Sequence, residues 1–254
     1  MFDPLIISPP FGNVINLSYA TSVCGTYTAQ KRIGMYNRYL KTLRPVCKNG
    51  KVGWINSIGL RNPGIQNLTL SKVEGKILSI ALMDKKDMSV FLVKLRDYIN
   101  NQKFNIKAIE VNISCPNAKI NFMTNNEVNL LRNLDLEIII KIPPSKTYLD
   151  MIDYYIQSGV RYFHLFNSFP TKRGGLSGKL IQEMYLKLIQ KAKSKFGDSI
   201  KIIGGGGIQS IEDLRMYQQQ GAEHFSVSTL FLHPIKLNKF LKDYKNDYEH
   251  ITLQ

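Results

Sequence analysis

The chain has 254 residues, enough for one large core or two small ones, and its 44% apolar content is that of an ordinary soluble protein rather than a disordered or fibrous one. Lysine and arginine number 34 against 19 acidic residues, a formal charge of +15, which admits nucleic acid, anionic substrates and acidic proteins as partners. The three cysteines (Cys24, Cys47, Cys115) lack disulfide or zinc spacing, the start has no basic leader, and no apolar run could cross a bilayer, so a reduced, cytoplasmic setting with no membrane span is expected.

In chain order, β-branched or aromatic runs bounded by turn residues predict strands at 14–18, 34–40, 76–82, 108–113, 136–141, 162–166, 200–203 and 224–227. Between and after them, helical periodicity predicts helices at 27–33, 62–72, 87–100, 125–133, 146–158, 179–194, 211–219 and 235–244. Ser210 is placed to cap one helix, and Gly159 and Gly221 are placed to end two others. The basic runs at 187–195 and 236–245 keep helical spacing and read as solvated helix faces. Strict alternation at about 30 residues per unit is the rhythm of a (β/α)8 TIM barrel. A doubly wound sheet would place its glycine-rich loop after the first strand, whereas here that loop comes late. No linker, low-complexity tract or repeat breaks the pattern, so one domain over 1–254 is expected.

Barrel strands end at the active-site mouth, so the residues after each predicted strand outline a site. Ala20 and Thr21 follow the first, where small side chains would let a flat ring lie close. Lys41 follows the second and would face an anion. The segment Asn56-Ser57-Ile58-Gly59-Leu60 offers an amide and a turn. Most informative is Glu110-Val-Asn-Ile-Ser-Cys-Pro-Asn117, a buried strand running into a turn with two amides, a hydroxyl and a thiol. Asn112 and Asn117 can donate and accept to a flat polar ligand. Most free cysteines are inert core residues, but the proline and asparagine after Cys115 favour an exposed, functional thiol. Lys141 ends a run of isoleucines before two prolines, so it should point into the barrel and meet an anion. Asn167 and Ser168 follow the sixth strand, and Gly178, Gly206, Gly207, Ser228 and Thr229 supply bare amides and hydroxyls where barrels hold a phosphate.

Together these segments resemble the dihydroorotate dehydrogenase family of FMN-dependent barrels, in the family's order from about Val14 to Leu232. The pieces are Lys41-Thr-Leu43, Asn56-Ser-Ile-Gly-Leu60, Asn112-Ile-Ser-Cys-Pro-Asn117, Lys141-Ile-Pro-Pro144, Asn167-Ser168, Gly174-Gly-Leu-Ser-Gly178 and Gly205-Gly-Gly-Ile208. The resemblance is to the soluble, cysteine-type (class 1) branch, and it implies oxidation of dihydroorotate to orotate in pyrimidine synthesis. It implies Cys115 as the base at C5 of the substrate while C6 passes hydride to flavin N5. Lys41, Asn56, Gly59, Leu60, Asn112, Asn117, Asn167 and Ser168 would hold orotate. Ala20, Thr21, Lys41, Asn112, Lys141, Gly178, Gly206, Gly207, Ser228 and Thr229 would hold FMN, with Lys141 stabilising its reduced form. A homodimer or an electron-transfer subunit is the partner such enzymes imply, and nucleic acid is not. Two other readings compete. One is a tRNA dihydrouridine synthase-like flavin barrel, favoured by the basic charge. The other is a flavin-binding subunit that works only with an electron-transfer partner.

Overall fold

The computed structural model describes residues 2–100, 105–118, 120, 122–166 and 168–251. Its regular elements begin with β1 (Leu5–Ile7), β2 (Thr21–Tyr27), α1 (Met35–Thr42), β3 (Arg44–Lys48), β4 (Lys51–Asn56) and β5 (Ile77–Ile80). They continue with α2 (Asp87–Asn100), β6 (Ala108–Asn112), α3 (Asn125–Arg132), β7 (Ile138–Ile142), α4 (Tyr148–Gln157) and β8 (Tyr162–Leu165). The last are β9 (Phe169–Thr171), β10 (Gly174–Gly178), α5 (Gln182–Phe196), β11 (Lys201–Gly205), α6 (Ile211–Gln219), β12 (His224–Val227) and α7 (Pro234–Ile251).

Eight strands close a parallel barrel in the order β1-β12-β11-β8-β7-β6-β5-β2, the TIM architecture expected. A second, antiparallel sheet, β3-β4-β10-β9, stands beside it. Two of its strands come from the connection after β2 and two from the connection after β8.

The first quarter of the chain departs from the sequence reading. Residues 14–18 form no strand; β1 and β2 lie on either side of them. Residues 34–40, read as a strand from their recurring aromatics, belong to α1, whose Tyr36 and Leu40 face solvent one turn apart. The segments 27–33 and 62–72 are not α-helices: the first begins with the end of β2, and the second holds only short 3-10 turns. The physical reason is burial. A three-residue run such as Leu5–Ile7, wholly inside, has too little length to show a period. The later elements follow their patterns closely, and α2, α6 and β12 do so residue for residue.

The barrel lumen is stratified. Its lower layer is an apolar cluster of Phe2, Ile6, Val23, Ile77, Ala108, Ile139, Tyr162 and Ile203. One step up the strands, nearer their C-terminal ends, the inward positions turn polar, with Ser8, Ser79, Glu110, Lys141, His164 and Ser226, all buried. The period of two along each strand produces both layers from alternate residues. A large outer core, including Phe91, Leu131, Tyr155, Ile189 and Tyr217, seals the helices to the barrel.

Candidate functional site

A cleft opens at the C-terminal end of the barrel, directly above the polar layer. It is lined by Ser8, Pro9, Pro10 and Phe11 after β1, Asn56 and Ile58 after β4, Lys141 and His164 from the lumen, and Phe166 and Ser168 after β8. Ser177, Gly178 and Ile181 line it beside Gly206, Gly207, Ile208, Ser228 and Thr229. Tyr39 and Leu43, at the end of α1, reach its rim.

Gly207 shows why bare backbone is needed here. Its φ is +82°, and a Cβ would come within 2.9 Å of the Gly178 carbonyl oxygen. A side chain would therefore be strained and would crowd the loop against β10. Ser228 follows β12 and donates from Oγ to the Pro9 carbonyl at 3.1 Å, joining the last strand's loop to the first's.

The cysteine turn packs against the second sheet. Asn117 Nδ2 donates to the Asn56 carbonyl at 3.1 Å. A Cβ at Gly175 would lie 2.3 Å from Ser168 Oγ and 3.2 Å from Pro116 Cγ, so only glycine lets these three loops meet. Asn56, Ser168 and Gly175 are thereby packed against the Pro116-Asn117 turn that follows Cys115. The thiol is half-buried beside the cleft rather than among its lining residues. Burial pushes its pKa up, against the opposing pull of backbone N–H groups at Asn117 and Ala118 and of Lys141 and Arg32.

Beneath the cleft lies a buried ionic network. His164 Nδ1 is 2.6 Å from Glu110 Oε2, Ser79 Oγ donates to Glu110 Oε1 at 2.7 Å, and Lys141 Nζ stands 4.0 Å from Glu110 Oε1. Burial alone would raise the Glu110 pKa, but Lys141, His164 and Ser79 outweigh it and hold the carboxyl well below the usual range. Burial, helped by Lys141 and opposed by Glu110, lowers that of His164. Thr26 Oγ1 extends the network from Ser79 Oγ (2.9 Å) to Asn112 Nδ2 (2.9 Å). Asn112 Oδ1 in turn accepts from Ser114 N and Oγ at 3.0 and 2.7 Å. Asn112 thus braces the cysteine turn from below and does not line the cleft.

Five expected site residues lie elsewhere. Ala20 and Thr21 stand at the start of β2, the opposite end of the barrel, where Thr21 Oγ1 donates to Asp3 Oδ2 at 2.5 Å and accepts from Lys107 at 3.4 Å. They were misplaced because the first strand was. Lys41 is exposed on α1, lining a separate surface groove with Arg38 and Arg61; the ammonium in the cleft is that of Lys141. Gly59 and Leu60 sit behind the wall, where a Cβ on Gly59 would be 3.3 Å from the Asn117 carbonyl and Leu60 is buried. Asn167 lies outside the described residues. The residues that sequence reasoning missed are chiefly Ser8, Pro9, Pro10 and Phe11 and the histidine His164. The Ser-Pro-Pro-Phe-Gly turn after the Leu5–Ile7 triplet was the available signal for the first group.

The family model described as dihydroorotate dehydrogenase matches residues 11–242. The chain belongs to the dihydroorotate dehydrogenase family. It is 29% identical over 225 residues to a putative dihydroorotate dehydrogenase A (fumarate) of Aquifex aeolicus, covering 76% of this chain and 72% of that one. It is 30% identical over 209 residues to the catalytic subunit of dihydroorotate dehydrogenase B (NAD(+)) of Enterococcus faecalis, covering 70% and 65%. The Eimeria tenella DHODH solved in complex with ferulenol superposes with a TM-score of 0.67 at 14% identity, over 98% of this chain and 82% of that one, a likeness of fold alone. Family membership decides between the two flavin barrels weighed from sequence, in favour of dihydroorotate dehydrogenase. Among the described residues no helix is long and apolar enough to cross a membrane.

Proposed function

We propose that this chain is a single FMN-binding barrel that oxidises dihydroorotate to orotate in pyrimidine biosynthesis, in the cytoplasm, with Cys115 as the base. The observation that supports the reading is the packing of Asn117 against Asn56, and of Ser168 and Pro116 against Gly175, which sets the cysteine turn beside a cleft lined by Asn56, Ser168 and Lys141. The residues fit FMN. The amides of Gly206 and Gly207 and the hydroxyls of Ser228 and Thr229 would hold its phosphate, with Gly178 beside them, and the Lys141 ammonium would face its ring. Bound there, FMN supplies the hydride acceptor, and the protein supplies position and charge.

Asn56, Asn117 and Ser168 orient the substrate ring and its carboxylate, and Asn112 fixes the turn that carries the base. Cys115 removes the C5 proton. The Lys141 charge favours negative charge gathering above the floor, the more so with water excluded. Burial disfavours the thiolate, so turnover should rise with pH beyond the ordinary thiol range.

The test is an anaerobic absorbance spectrum before and after adding dihydroorotate. Bleaching of the flavin band supports the reading, and a bound flavin that stays oxidised sinks it. Cys115→Ala should keep its flavin and lose at least about a hundredfold in reduction rate, the usual scale for a lost general base. A fully active mutant would refute the base assignment.

The relatives include fumarate-type and NAD(+)-type enzymes. An electron-transfer subunit or a second copy of this chain would join through α1 and its approach, where Ile33, Tyr36 and Leu40 are 70%, 78% and 76% exposed. No group of metal-ligating residues occurs among the described residues, so any iron–sulfur centre would lie on such a partner.

A further inference from the structure

We propose that His164 is a redox-linked proton acceptor: when the cofactor above it gains negative charge, its imidazole takes one proton from solvent, held in place by Glu110. The inference rests on the reading that the cleft holds FMN.

The geometry supplies each part. His164 is 1% exposed yet lines the cleft. Its Nδ1 is committed to Glu110 at 2.6 Å, while among the described residues Nε2 has no hydrogen-bond partner. A neutral imidazole with Nδ1–H on Glu110 therefore leaves Nε2 as an open acceptor facing the cleft. Glu110 is anchored independently by Ser79, so it stays in place whichever form the histidine takes.

The charges decide the direction. The charged groups facing His164 are Glu110 from β6 and Lys141 from β7, which is its registered neighbour. The other inward positions of this layer are the uncharged Ser8, Gly25, Ser79, Gly205 and Ser226, from β5, β11 and the ends of β1, β2 and β12. With the imidazole neutral, Lys141 and Glu110 cancel and the floor carries no net charge. A protonated imidazole beside Lys141 would leave one net positive charge, unfavourable until an opposing charge appears above it. Substrate oxidation delivers that charge, because the hydride brings two electrons and one proton while the second substrate proton goes to Cys115. The balancing proton on His164 comes from solvent through the cleft, and Glu110 keeps its charge throughout. The histidine thus makes the charge compensation follow the redox state.

The test is spectroelectrochemical titration of the flavin in the wild-type holoprotein and in His164→Asn, from about pH 6 to 8, where histidine can titrate. One extra proton per two electrons makes the wild-type midpoint potential fall about 30 mV more steeply per pH unit than that of the variant. Nitrogen NMR of labelled histidine in the unsubstituted protein gives a second readout. Of the four histidines, one signal should be neutral in oxidised protein and doubly protonated after chemical reduction, and it should vanish in His164→Asn or, should that variant misfold, His164→Gln. Equal slopes, or an imidazole that stays neutral on reduction, with flavin bound, would overturn the proposal and leave the dihydroorotate reading intact. A protein that binds no flavin would overturn both.

Discussion

Single side chains act here through where they are buried. Cys115 is useful because its turn is braced from below by Asn112 and from the side by Asn117, and that burial disfavours its ionisation. The rate of flavin reduction, followed by stopped flow, should climb with pH without a plateau at the reference thiol value of about 8.5. Cys115→Ser should displace the rise further upward, and a flat profile in the native protein would contradict a thiolate base. Gly207 is a backbone constraint on the cleft lining. Gly207→Ala forces a left-handed residue against the Gly178 carbonyl, a cost of about 1–2 kcal/mol. It should weaken FMN binding about tenfold or more, read by quenching of flavin fluorescence, whereas an unchanged affinity would remove this loop from the phosphate site.

At the scale of elements, α3 and α6 begin at side-chain caps on Thr124 and Ser210. The loop that follows Cys115 ends at Thr124, which caps α3 in a reciprocal capping box with Glu127. Thr124→Ala should cost about 1 kcal/mol in urea unfolding. It should also loosen the cysteine loop, lowering the rate of flavin reduction more than the affinity for orotate. The reverse pattern would mean that the cysteine turn is held by the antiparallel sheet and not by the helix. The antiparallel sheet has a comparable part, since β4 and β10 place Asn56 opposite Gly175 and so bring the amide wall to the cysteine turn.

The whole molecule separates stability from chemistry along the barrel axis. At the N-terminal end Phe2 fills the lumen against Tyr162 and His224, with ring centroids 5.0 and 4.6 Å apart. Asp3 binds Thr21 and Lys107 there. Phe2→Ala should cost about 3 kcal/mol by opening a cavity, while the flavin spectrum and orotate affinity stay as they were. A changed flavin spectrum would mean that the polar layer between the two ends transmits the strain.

The sequence by itself determined the later three-quarters of the barrel and half of its mouth. From residue 76 onward each barrel strand and each helix shows its pattern, whereas β9 and β10 of the second sheet were not read as strands. Residues such as Cys115, Lys141, Ser168 and Gly207 sit beside strand ends that the pattern locates. The early strands were illegible because a buried triplet has no period and because α1 carries its apolar residues outward. That error moved Ala20, Thr21 and Lys41 into a site they do not share. Only the tertiary structure decided that Glu110 and His164 face each other across the lumen. They are 54 positions apart in the chain, on strands separated by β7. Closure of the barrel alone brings such residues within hydrogen-bond reach, because inward positions on different strands meet only when the sheet has curled on itself.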